Sequence, residues 1–75
     1  MDNVELVKRI TSTLAGIPLS ELSATSVIPP EYRLNVVMSV VMQTQAGLLV
    51  RTEDEMTIGG LAKEVHKFFS QQKKR

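Results

Sequence analysis

Apolar side chains recur at helical intervals in three stretches of the chain, and the breaks between them fall at glycine and proline. In the first stretch Val4, Val7, Ile10 and Leu14 share one face with Leu6 beside them, while Lys8, Arg9, Thr11 and Ser12 lie on the other side. Asp2 can accept hydrogen bonds from the free amides of a first turn, and Glu5 three residues later completes a capping-box pattern. Gly16 and Pro18 stop the run, so the spacing predicts a helix over 3–15.

Residues 17–30 hold three prolines and three serines, with Ile17, Leu19, Leu22, Val27 and Ile28 spaced irregularly among them. Five large aliphatics are out of place in a polar tether, which predicts a long loop docked across the helices, with one helical turn near Leu19 to Leu22.

Pro30 suits the first position of a helix, Glu31 complements its positive end, and Gly47 is the next stop signal. A second helix is expected over 30–46. At about 100° per residue, Leu34, Val37, Met38, Val41, Gln45 and Leu48 fall on one arc, taken as the buried one. Val36 and Val40 then lie on a flank beyond that arc, next to Gln43. Met38 and Met42, four residues apart, suit an adaptable core, with a methionine-lined groove as the alternative.

Thr52 followed by Glu53, Asp54 and Glu55 has the form of an N-cap with an acidic first turn, which predicts a very short third helix or an acidic turn. Thr57 caps a last helix over 58–70, where Ile58, Leu61, Ala62, Val65, Phe68 and Phe69 follow the helical rule and Lys63, Glu64 and Lys67 face out. Gly59 and Gly60 in its first turn cost helix propensity of about 1 kcal/mol each relative to alanine, which points to close approach of another backbone.

The pattern is therefore all-α, and at 75 residues it makes one domain, 1–75, with 71–75 read as a frayed basic tail. Nine Lys and Arg balance eight Asp and Glu, leaving a formal charge of +1 and no broad basic surface for nucleic acid. The absence of cysteine removes disulfides, thiolate metal sites and cysteine nucleophiles. Charged residues within the first ten positions leave no signal-peptide apolar run, so cytoplasm is the expected compartment. Residues 34–50 are apolar, but too short and too polar for a membrane span.

Little of the remaining chemistry supports an enzyme. His66 is the only histidine and sits at the edge of an apolar face, so no metal site and no cofactor is expected. Glu53, Asp54 and Glu55 lack the glycine-containing pattern of a calcium loop, and Gly59-Gly60 lacks any phosphate-cradle signature.

Three longer helices, a long ordered loop between the first two and a short third helix resemble the acyl and peptidyl carrier protein family over nearly the whole chain. The resemblance is carried by Val7-Lys8-Arg9-Ile10, by the apolar run of residues 34–42, and above all by Met56-Thr57-Ile58-Gly59-Gly60-Leu61-Ala62. It implies a four-helix carrier-protein-like bundle. The family attaches a phosphopantetheine arm to a serine in an Asp-Ser-Leu or Gly-Ser-Leu motif at the start of helix two. Here that place reads Tyr32-Arg33-Leu34: Leu34 matches the motif leucine, and Arg33, with no hydroxyl, stands at the serine. Ser26 is a displaced alternative acceptor, but it lacks a following leucine and precedes two prolines.

The family also shows an acidic helix two to its partner enzymes, whereas residues 34–50 carry no charge. Depletion of charge marks an interface centre. The expectation is a non-catalytic interaction or scaffolding module that carries no arm. Its contact surface is expected at Arg33, Val36, Val40 and Gln43, facing a carrier-dependent biosynthetic enzyme or a second copy in a homodimer. The alternatives are a functional carrier for fatty-acid or polyketide assembly modified on an atypical serine, and an unrelated helical adaptor or secretion-type chaperone.

Overall fold

The computed structural model describes residues 2–72 and contains three α-helices: α1 (Asn3–Ala15), α2 (Arg33–Thr44) and α3 (Ile58–Gln72). Two single 3₁₀ turns, Leu19–Glu21 and Pro30–Tyr32, punctuate the long connection between α1 and α2. Among the described residues there is no strand beyond an isolated bridge between Val27 and Thr57. The fold is all-α, as the periodicity predicts.

α1 has the expected bounds because both its ends are chemically closed. The Asp2 carboxylate accepts the Val4 amide at 3.0 Å. Gly16 takes the left-handed conformation, φ 72°, and returns its N–H to the Ser12 carbonyl. Glu5 does not close the capping box; it pairs with Lys8 at 3.3 Å. α1 then packs against both α3 and α2. Val7 and Ile10 belong to a core completed by Leu22 and Ile28 of the loop, Val36, Val37 and Val40 of α2, Ala46, and Ile58, Leu61, Ala62 and Val65 of α3.

The loop is docked by its backbone as well as by Leu22 and Ile28. The Ile28 N–H donates to the Met56 carbonyl at 2.8 Å, the Ile58 N–H to the Ser26 carbonyl at 3.0 Å, and the Gly59 N–H to the Ala24 carbonyl at 2.7 Å. A Cβ on Gly59 would lie 2.9 Å from that Ala24 oxygen, so the close approach expected at this glycine is present. The Thr57 hydroxyl caps α3 by accepting the Gly60 N–H at 3.0 Å.

Three boundaries differ from the sequence expectation. The second helix opens with the 3₁₀ turn at Pro30–Tyr32 and ends at Thr44, before Gly47. Its end is set by Thr44, whose hydroxyl donates to the Val40 carbonyl at 2.7 Å and accepts the Ala46 N–H at 3.2 Å, while Gln45 takes φ 61°. The short third helix at 52–55 is a turn instead: Asp54 N–H reaches only to the Arg51 carbonyl, and the Arg51 side chain holds Glu53 and Asp54 at 3.0 and 3.8 Å. Four residues gain too few internal hydrogen bonds to offset helix nucleation. The last helix runs on through Gln72, so Gln71 and Gln72 are helical, and the rest of the expected frayed tail, 73–75, lies outside the described residues.

Candidate functional site

α2 has exchanged the usual places of charge and oil. Its only charged residue, Arg33, is 8% exposed, and Val36 and Val40 are completely enclosed. Leu34, Met38 and Met42 stand out from the helix at 56%, 53% and 76% exposure. These three lie at i, i+4 and i+8, a single ridge along the side opposite the core. Asn35 and Gln45 beside it are also exposed, so the outward face is neutral throughout.

This corrects the expected contact surface. Val36 and Val40 are core residues and cannot present a flank to a partner, and Met38 and Met42 are not core. The physical reason is the length of the helix. Gln45 and Leu48 lie past its end, so the arc that they share with Leu34 and Met38 in the sequence is not continuous in the helix. Without them, Val36, Val37 and Val40 form the competing apolar arc, and the valines won because α1 and the loop close over them. The sequence signal for this phase is Thr44, which lies four residues after Val40 and prolongs the valine side.

Arg33 sits at the start of α2, but its guanidinium turns inward. Nε donates to the Ile28 carbonyl at 3.2 Å, and an NH group makes a longer contact of 3.5 Å to the Thr52 carbonyl. The side chain thereby ties the crossing loop to the turn before α3. It acts as a brace, and its charge is spent on main-chain oxygens.

Gln43 is exposed, as expected, and with Ser39 it forms one wall of a groove of about 270 Å³ against α1. Leu6, Ile10 and Leu14 make the opposite wall, with Arg9 and Thr13 at the rim. The groove and the Leu34–Met38–Met42 ridge are adjacent faces of one helix. Leu49, in the connection after α2, is 99% exposed, the most exposed of the large apolar side chains among the described residues.

The Ser26 hydroxyl is half-buried and accepts the Ser23 N–H at 2.9 Å within a small turn. Among the described residues no group of three or more His, Asp or Glu side chains could hold a metal ion, and no helix is long and apolar enough to cross a membrane. No protein-family model, curated protein or solved structure matches the chain.

Proposed function

We propose that this chain is a carrier-protein-like interaction module that works by docking and does not carry a phosphopantetheine arm. The carrier-like reading draws on the order of elements: α1, a long crossing loop pinned to the start of the last helix, α2, an irregular connection, and α3. The docking reading draws on one observation, the neutral ridge of Leu34, Met38 and Met42 on a helix whose only charge is turned inside.

A solvated helix normally reverses that arrangement. Exposing three large apolar side chains in a row lowers solubility without adding stability, and the compensating gain is contact with another protein. Methionines suit such a surface because their side chains adapt to the shape they meet. The role is recruitment, scaffolding or regulation, and it calls on no reaction at the chain itself.

Photo-crosslinking tests this reading. A photo-reactive residue in place of Met42 is expected to join the chain to another protein molecule, while the same residue in place of Lys63, on the exposed side of α3, is not. Equal crosslinking from the two positions would overturn the assignment of the docking face.

A further inference from the structure

We infer that the molecule docking on the outward face of α2 is a second copy of this chain, in an antiparallel α2–α2 contact with Met38 on the twofold axis. The inference rests on the docking role proposed above and names its partner.

The first support is the symmetry of the ridge. Leu34 and Met42 lie four residues on either side of Met38, so a twofold axis through Met38 sets Leu34 of each copy against Met42 of the other and Met38 against itself. Side chains at four-residue spacing on both helices interdigitate in the commonest mode of helix packing.

The second support is charge. A twofold contact sets each residue near its own like, so any charge close to the axis meets the same charge. Residues 34–50 carry none, in a chain that otherwise holds nine basic and eight acidic residues. Of the two charges at the helix start, Arg33 is withdrawn onto the Ile28 and Thr52 carbonyls, and Glu31, exposed in the preceding 3₁₀ turn, falls opposite the neutral Gln45 of the other copy and not against its own like. A partner recognised through charge would find nothing along Leu34, Met38 and Met42 to pair with and would leave its own charges desolvated there. The complement of a neutral apolar ridge is another such ridge, and the chain supplies one. Asn35 and Gln45 give the contact a rim of neutral donors and acceptors.

The ridge is about 12 Å long at the rise of an α-helix, which puts the contact in the small, readily reversible class. Association is therefore concentration-dependent.

Sedimentation equilibrium of the full chain from about 10 μM to about 1 mM covers the affinities such an interface reaches. The wild-type mass is expected to climb from 8.3 kDa toward twice that value. Met38→Glu and Met38→Lys, each with an unchanged thermal midpoint, are expected to stay at the single-chain mass when alone and to associate when mixed. Only a residue that faces its own copy gives that restoration. A wild type that remains at 8.3 kDa throughout, or a mixture that stays monomeric beside a dimerising wild type, would overturn the inference. Crosslinking from position 42 to a different protein, with the wild type monomeric, would overturn self-pairing and leave the docking role standing.

Discussion

The Arg33 Nε–H donates to the Ile28 carbonyl at 3.2 Å and so fixes the first turn of α2 to the end of the crossing loop. A charged donor on a buried carbonyl contributes more than a neutral one, and the aliphatic stem of Arg33 adds packing. Arg33→Ala is expected to lose about 2 kcal/mol in chemical denaturation, and Arg33→Met, which keeps the stem, about half of that. Wild-type stability in Arg33→Ala would show that the brace contributes nothing.

The two sides of α2 should respond oppositely to the same substitution. Val40→Glu buries an unpaired carboxylate where there is no exposure at all, and a loss of more than about 4 kcal/mol is expected, enough to unfold a domain of this size. Met42→Glu, on a side chain 76% exposed, is expected to stay within about 0.5 kcal/mol of wild type. Circular dichroism with urea titration separates the two. A folded Val40→Glu beside an unfolded Met42→Glu would mean that the helix is turned the other way.

Those two residues also mark where the sequence could and could not be read. The α1 limits, the Asp2 and Thr57 caps, the docked loop and the Gly59 approach each follow from local chemistry, in which a few neighbouring residues decide the outcome. The phase of α2 does not. Leu34, Met38 and Met42 offer one apolar side, Val36, Val37 and Val40 offer another, and periodicity alone weighs them equally. The choice is made by tertiary packing against Val7, Ile10, Leu22 and Ile28. Arg33 misled for the same reason: a buried arginine satisfied by two loop carbonyls leaves no trace in spacing, because its partners are five and nineteen residues away.

Gly59 is held where any side chain meets backbone. Alanine would gain about 1 kcal/mol of helix propensity, but its Cβ would sit 2.9 Å from the Ala24 oxygen that accepts the residue's own N–H. A net loss of about 1–2 kcal/mol is expected for Gly59→Ala, read as a lower thermal midpoint. A raised midpoint would show that the loop moves aside without cost.

Thr11 offers the opposite case. Its side chain is completely buried and its hydroxyl oxygen has no hydrogen-bond partner. Thr11→Val keeps the shape and removes the unmet polar group, for an expected gain of about 1 kcal/mol, or a midpoint about 4–8 °C higher in a domain of this size. A lower midpoint would reveal a hydrogen bond made by that hydroxyl.

The most direct test of a carrier-like domain that works without an arm is the intact mass of the full chain after incubation with coenzyme A and a broad-specificity phosphopantetheinyl transferase. An unchanged mass is expected, since the proposed carrier-like reading sets Arg33 where the serine would stand, and Arg33 is withdrawn into the fold. Addition of one phosphopantetheine group to the wild-type chain, at Ser26 or any other serine, would contradict it.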